Sequence, residues 1–268
     1  MTGLTLVFSA YFYIAVDIFL VGLLLKIWKY AATPAPLKIP LTPAPKTTVG
    51  VGSRMFQEIV LFKSLFKSNK LLWVGGYVFH LSLLFVFMKH LRFLFPSTPA
   101  FLDNLVNFDL YTGFILLSAL AFLFILRLVI DRHFYISVFN DYLLLGLLMC
   151  IATTGLLSRF WEGGGVRADL PDIKVFVGGL FTFNPGTVPD NRLFLTHFSL
   201  IMLLLIYFPF SKLVHAVGIF FSPTRNQVDN SRVKRWGPWT VKKPGRAGSP
   251  EPVPVQPSLI VSKDTPDS

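Results

Sequence analysis

The chain has 268 residues, of which 53% are hydrophobic and only 15% are charged, and its formal net charge is +11. A soluble domain carries about 25% charged residues, so this composition excludes an ordinary cytosolic enzyme or a disordered chain and indicates a membrane protein. One cysteine, Cys150, excludes an intramolecular disulfide, a CxxCH haem attachment and a four-cysteine iron–sulfur site, which leaves the five histidines to hold any redox cofactor.

Five apolar stretches are long enough to cross a bilayer, which takes about 20 helical residues. They are residues 4–27, 71–95, 110–130, 136–157 and 193–221. None of them alternates as a barrel strand does, so the predicted fold class is an all-α membrane protein with a bundle of five transmembrane helices. The first stretch has no basic residue before Lys26, unlike a cleaved signal peptide, and we interpret it as a retained helix.

The basic residues predict the orientation of these helices. Lysines and arginines are concentrated between the first and second stretches, between the third and fourth, and after the fifth. Because cytoplasmic loops are enriched in Lys and Arg, the N-terminus is expected outside and the C-terminus in the cytoplasm, in a multi-pass protein of the cytoplasmic membrane. Lys89 and Arg92, at the margin of an outer loop, depart from this rule. Basic residues placed beside apolar blocks do not indicate nucleic-acid binding.

Two further segments have a distinctive composition. The Pro-rich run 33–45 is expected to be extended. It leads into residues 55–66, which we interpret as an amphipathic helix on the cytoplasmic surface, with an early start of the second span as the alternative. The tail 222–268 is basic and Pro-rich, so it is predicted to be largely disordered, and residues 1–221 form the membrane domain.

Four of the five histidines lie within two of the apolar stretches, where ionisable side chains are costly and usually functional. At about 100° per residue, the two histidines of each stretch fit one inward-facing sector. The second and fifth helices run antiparallel, so His80 is expected opposite His215 near the cytoplasm. By the same argument, His90 is expected opposite His197 near the outer surface.

Facing histidines at two depths are the arrangement that holds two stacked b-type haems, with neutral imidazoles as the axial ligands of both irons. Such haems transfer electrons, since neither iron has an open position. The histidines are separated by about 15 Å on one helix and about 27 Å on the other. Pro209, which lies between the two histidines of the fifth helix, is expected to kink that helix and to absorb part of this mismatch. A hydrogen bond between helices is the alternative for each histidine alone. A non-redox, proton-coupled transporter that uses the histidines as a relay is the alternative function.

The spacings His80-x9-His90 and His197-x17-His215, in a five-helix chain, resemble those of the gamma subunit of respiratory nitrate reductase over about residues 4–221. The chain is most similar to the DsrM branch of that family, with the related cytochromes of the Hme and Tmc complexes. The segments that carry this closer likeness are 39–45, Glu58 with 62–66, 90–92, 154–159 and 221–227.

The resemblance implies a di-haem cytochrome b subunit, with His80 and His215 on an inner haem b and His90 and His197 on an outer one. It also implies electron exchange between menaquinone or ubiquinone and a cytoplasmic iron–sulfur subunit of the heterodisulfide reductase (DsrK) type. Further membrane and periplasmic subunits are expected in a DsrMKJOP-like complex of sulfur metabolism. A nitrate-reductase gamma-type subunit is the alternative, and the direction of electron flow stays open.

Two cations beside His90 are further candidates for the site. Arg92 is a candidate partner of a haem propionate, because a buried propionate needs a cation. Lys89 lies at the depth where the gamma-subunit family binds quinol beside the outer haem, so it is a candidate quinol contact. For both side chains the alternative is that the charged end extends to the membrane interface.

Overall fold

The structure is a computed structural model that describes residues 2–33, 43–95, 97, 99, 109–160 and 170–230. Most of the Pro-rich run and residues 231–268 lie outside this range, so the prediction of a disordered tail falls largely on residues that are not described. The described residues contain helices and turns and no strand. The helices are α1 (Gly3–Ala32), α2 (Thr48–Val60), α3 (Lys63–Ser68), α4 (Lys70–His90), α5 (Asp109–Val129), α6 (Asp131–Ile136), α7 (Phe139–Phe160), α8 (Leu170–Phe181), α9 (Arg192–Tyr207), α10 (His215–Gly218) and α11 (Pro223–Asn226).

Five of the described helices are long and apolar enough to cross a membrane, which confirms the predicted all-α five-helix architecture. They are α1, α4, α5, α7 and α9. Polar side chains begin three of them, because the first N–H groups of a helix lack partners within it. Thr2, Asn69 and Asn191 each accept a hydrogen bond from the backbone N–H three residues later, at 3.3, 3.0 and 3.0 Å.

The long helices pack as an arc in the order α1–α9–α7–α5–α4. One apolar cluster joins α1, α8 and α9 through Phe12, Phe176 and Phe198. A second cluster joins α5 and α7 through Leu120 and Leu145. This arrangement leaves α4 and α9 facing each other across the interior, so that the two histidine-bearing helices meet through their side chains.

The fifth predicted span, 193–221, is not one continuous helix in the structure. The helix α9 ends at Tyr207 and is followed by short 3₁₀ turns at Phe208–Phe210 and Lys212–Val214 before α10 begins. The physical reason is Pro209, which has no N–H to donate and whose ring obstructs the preceding turn. Gly22 of α1 packs on this break, since a Cβ there would lie 2.7 Å from the Pro209 ring. The angular arithmetic for a straight helix therefore does not apply to His215.

Residues 55–66, expected as one amphipathic helix, are divided between α2 and α3 by Phe62. The Phe62 backbone is left-handed, with φ of 49°, which is a strained conformation for a bulky residue. The buried Glu58 carboxylate supports this break by accepting from the backbone N–H and the hydroxyl of Ser64. The Trp73 indole donates to the Leu61 carbonyl at 2.8 Å, so the break is also attached to α4.

The helix α8 was not expected from the sequence, which has only a loop between the fourth and fifth spans. Its 12 residues are too few to cross a bilayer. The feature of the sequence that could have predicted this helix is its apolar face within a segment of mixed charge. Phe176 and Leu180 are buried against α1, and the Tyr13 hydroxyl donates to the Leu180 carbonyl at 3.0 Å. The helix also contacts the 3₁₀ turn Leu91–Leu94 that follows His90.

Candidate haem-binding site

The structure brings His80 of α4 next to His215 at the start of α10. Their ring centroids are 6.0 Å apart and their planes are nearly perpendicular, at 88°. Both Nδ1 atoms are held by backbone carbonyls, at 2.7 Å from Gly76 and 2.8 Å from Lys212. Because a carbonyl only accepts, each Nδ1 carries the proton and each Nε2 keeps its lone pair.

The structure also brings His90 of α4 next to His197 of α9. Their ring centroids are 6.3 Å apart, with 29° between the planes. His90 Nδ1 donates to the Val86 carbonyl at 2.6 Å, and His197 Nδ1 lies 3.0 Å from the Thr154 hydroxyl. That hydroxyl donates its own proton to the Cys150 carbonyl at 2.9 Å, so it accepts from His197. The lone pair of His197 is therefore also on Nε2.

These two pairs fit a bis-imidazole metal centre. A histidine nitrogen binds a first-row metal ion at about 2.0 Å and lies about 1.1 Å from its ring centroid, so two axial imidazoles place their centroids about 6 Å apart. Histidine ligands generally donate their other N–H to a carbonyl or similar acceptor, as all four do here. In the part of the chain that the structure describes, no three His, Cys, Asp or Glu side chains converge on one point. The geometry thus matches two two-histidine centres.

The two pairs lie at different depths of the bundle. His80 and His90 are ten residues apart on the continuous helix α4, which corresponds to about 15 Å along its axis. Gly155 of α7 makes room beside His197 of the second pair, because a Cβ there would lie only 3.1 Å from Cε1 of His197. Gly75 of α4 serves helix packing, because a Cβ there would lie only 2.8 Å from the Leu123 and Phe122 side chains of α5.

A phenylalanine covers the first pair from the α2–α3 break. The Phe62 ring lies edge-on to the His80 ring, with 5.0 Å between centroids. The left-handed backbone at Phe62 is what turns this ring towards α4. Strained backbone conformations persist where surrounding contacts hold them, often at functional sites. The sequence placed Phe62 on an amphipathic face and in the DsrM-like segment 62–66, but it did not predict this contact with His80.

A charge cluster holds the irregular segment that presents His215. Asp141 of α7 is 4% exposed; Lys212 donates to its Oδ2 at 2.6 Å, and Arg127 of α5 lies 3.5 Å from the same atom. Asp141 also accepts from the Val138 N–H at 3.1 Å, as in a capping box. The Lys212 carbonyl also accepts the hydrogen bond from His215. The cluster therefore links α5, α7 and the 3₁₀ turn of Lys212, and through that turn it fixes the His215 ring. The sequence signal was an acidic residue beginning an apolar span.

The two predicted cations lie beside the second pair. Lys89 is only 8% exposed, so its side chain is enclosed by the fold and does not extend to an interface. Arg92 is half-buried in the 3₁₀ turn after α4, with its guanidinium carbon 5.1 Å from the Phe93 ring centroid. The Phe93 ring in turn lies 5.7 Å from the His90 ring. Both cations are thus placed near His90.

The chain is similar to known membrane proteins over most of its length. A family model described as nitrate reductase gamma subunit matches residues 61–236, which include all four paired histidines. An "Hdr-like menaquinol oxidoreductase cytochrome b-like subunit" of Archaeoglobus fulgidus is 33% identical, over 85% of this chain and 81% of that protein. A protein with the same description from Archaeoglobus profundus is 32% identical, over 87% of this chain and 82% of that protein. With its five apolar helices, the chain is therefore an integral membrane protein that belongs to the nitrate reductase gamma subunit family.

Proposed function

We propose that this chain is the di-haem cytochrome b subunit of a membrane quinol oxidoreductase. The observation that carries the proposal is the pair of facing imidazoles at each of two depths, all four with Nδ1 engaged and Nε2 left as the lone-pair atom. The relatives described as cytochrome b-like subunits of a menaquinol oxidoreductase support it. Menaquinol is accordingly the proposed substrate.

His80 and His215 are the proposed axial ligands of an inner haem b, and His90 and His197 those of an outer one. When bound, each haem supplies a one-electron redox centre whose potential depends on the surrounding hydrogen bonds and burial. With two histidines available at each site, a bound haem would serve electron transfer rather than oxygen chemistry. The anchored Nδ1 atoms hold each imidazole in one tautomer and one orientation.

The enclosed Lys89 side chain supports a quinol site beside the outer pair. An ammonium at this position can donate a hydrogen bond to a quinol oxygen and stabilise negative charge as the quinol loses its protons. Arg92, next to the same pair, is the proposed partner of an outer haem propionate. The apolar helices around them can accommodate an isoprenoid tail.

The remaining assignments concern the surroundings of the chain. We infer an N-out, C-in orientation from the positions of the lysines and arginines. The inner pair then lies towards the cytoplasm, close to α2, α3 and the Pro223–Asn226 helix, which together form the proposed docking face for an iron–sulfur subunit of the heterodisulfide reductase type. A complex of sulfur metabolism with further membrane subunits fits the DsrM-like sequence segments.

Histidine substitutions test the cofactor assignment. His80→Ala and His90→Ala should each remove about one of two haems from the purified protein, and each should leave the other haem's α band in a reduced-minus-oxidised spectrum. The matched control is His133→Ala, which changes the histidine of α6 that belongs to neither pair. No b-type spectrum in the native protein would favour a proton-relay role. Loss of the same haem from His80→Ala and His197→Ala would contradict the pairing.

A further inference from the structure

A carboxylate lies in the middle of the membrane-crossing helix α1 and faces away from the bundle. Asp17 is 14 residues after Gly3 and 15 before Ala32 (17 − 3 and 32 − 17), so it is about 20 Å from either end of the helix. Its side chain is exposed, and no hydrogen bond or ion pair joins it to another residue in the described ranges. No functional role assigned above uses it.

The geometry of α1 separates this carboxylate from the packed face. Phe12 and Ala15 are buried against α8 and α9. Asp17 is about 200° around the helix from Ala15, on the opposite side. Exposed residues at alternating spacings of three and four continue the same face. They are Ile14, Asp17, Val21, Leu24 and Trp28.

The apolar side chains of this face do not by themselves indicate a protein partner, because lipid tails solvate them as well as another helix does. The carboxylate is different. An acidic side chain in a transmembrane segment almost always faces protein or water and pairs with a complementary group. This face of α1 thus presents, among exposed apolar side chains, an uncompensated acid near the middle of the helix.

We propose that this face of α1 docks a transmembrane helix of a different protein, one that carries a single basic side chain opposite Asp17. Charge complementarity selects this occupant. A second copy of the chain in a symmetric contact would bring two carboxylates together. A lipid headgroup amine lies at the membrane surface, and the first basic residue that marks this surface, Lys26, is nine residues or about 13 Å along α1 from Asp17. The proposal rests on the membrane insertion of α1 and does not depend on haem binding.

A defined peptide tests the chemistry. The full-length protein, in nanodiscs of phosphatidylethanolamine and phosphatidylglycerol, is mixed with a labelled polyleucine helix of about 20 residues bearing one central lysine. Energy transfer should report binding about tenfold tighter than that of the same peptide with a central leucine. Asp17→Leu should abolish this preference and Asp17→Asn should reduce it. The control Asp131→Leu, which removes a carboxylate from the exposed start of α6, should preserve it.

Equal binding of the two peptides, or an unchanged preference in Asp17→Leu, would overturn the proposal. Self-association of the chain that is lost in Asp17→Leu would overturn it in favour of a second copy. Circular dichroism and gel filtration establish that each variant is folded, independently of haem content.

The native complex provides the second test. A photo-cross-linker at Ile14 or Val21, in membranes of the source organism, should capture a helix with Lys or Arg at mid-depth. The control position is Leu128 on α5, which is 51% exposed. Asp17→Lys should abolish the cross-link, and changing the captured basic residue to Asp should restore it. Capture of a helix without a basic residue, or no rescue by the exchanged charges, would contradict the proposal.

Discussion

Hydrogen bonds to Nδ1 determine what the four paired histidines can do. An imidazole whose Nδ1 donates to a fixed acceptor has its tautomer and its ring orientation set before any metal binds. Three of the acceptors are backbone carbonyls of the turn that precedes the histidine on its own chain segment. The fourth, at His197, is the Thr154 hydroxyl of a different helix. Of the four paired histidines, His197 is therefore the one whose orientation a conservative side-chain substitution elsewhere can change.

Thr154→Val should weaken the outer haem site and spare the inner one. The change removes the hydroxyl that accepts from His197, and loss of such a supporting hydrogen bond typically costs about 10–100-fold in metal affinity. Haem content and a redox titration of each α band measure the effect. The control is Thr153→Val, on the exposed face of the same helix. Equal outer-haem occupancy and potential in both variants would contradict the assigned role of Thr154.

Lys89→Met should slow quinol oxidation without loss of either haem. The substitution keeps the length of the enclosed side chain and removes a charged hydrogen-bond donor, whose contribution of about 1.5–3 kcal/mol corresponds to a rate about 10–100-fold lower. The rate of haem reduction by a menaquinol analogue measures this, with dithionite reduction as the internal control. Lys70→Met, at the other end of α4, should be silent. An unchanged rate of haem reduction in Lys89→Met would contradict the proposed contact between Lys89 and quinol.

The two helical segments that carry the paired histidines differ in continuity: one is a single helix and the other is interrupted. His80 and His90 belong to one continuous helix, α4, so their separation is set by helix geometry. His197 belongs to α9 and His215 to a separate short helix beyond the break at Pro209. The position of His215 therefore depends on contacts that hold the broken segment. The Asp141 cluster, which ties Lys212 to α5 and α7, provides one of them.

Asp141→Asn should loosen the inner haem site selectively. The change removes the charge that binds Lys212 and Arg127, and since Lys212 is 64% exposed, the free energy of unfolding should fall by only about 1–2 kcal/mol. The inner haem should be lost from a fraction of the protein, as measured by haem content and the inner α band. Asp131→Asn, which changes an exposed acid of α6, is the control. Selective loss of the outer haem would contradict this argument.

The two histidine pairs lie at different depths, so an electron that passes from one to the other moves charge across part of the membrane. Such a movement does work against, or gains energy from, the membrane potential. If menaquinol is oxidised near His90 on the outer side, as proposed, and electrons leave on the cytoplasmic side, protons would be released outside while negative charge moves inward. A full crossing against a potential that is negative inside costs about 2.3 kcal/mol per electron per 100 mV. Turnover should therefore build a proton-motive force when the cytoplasmic acceptor is sufficiently oxidising.

Reconstitution with the iron–sulfur partner and an electron acceptor measures this coupling. Proteoliposomes should acidify the side on which quinol is oxidised and generate a voltage, which a pH-sensitive dye and a voltage-sensitive dye report during turnover. Addition of a protonophore is the control, since it should remove both signals and speed electron transfer. Proton release on the cytoplasmic side would contradict the outer placement of the quinol site.

Local patterns in the sequence were enough to predict the five membrane-crossing helices and to single out the four paired histidines. Both signals are local. A single segment that crosses the bilayer must satisfy its own backbone hydrogen bonds, which a long apolar helix does. An ionisable side chain within it costs free energy, so such residues are rare and conspicuous. The interruption at Pro209 was foreseeable as well, because proline disrupts a helix locally. Only the packing of the helices decided the left-handed Phe62, the helix α8 and the contacts of Thr154 and Asp141. These depend on side chains from separate elements that meet only in the folded chain, as Trp73 meets Leu61 and Thr154 meets His197.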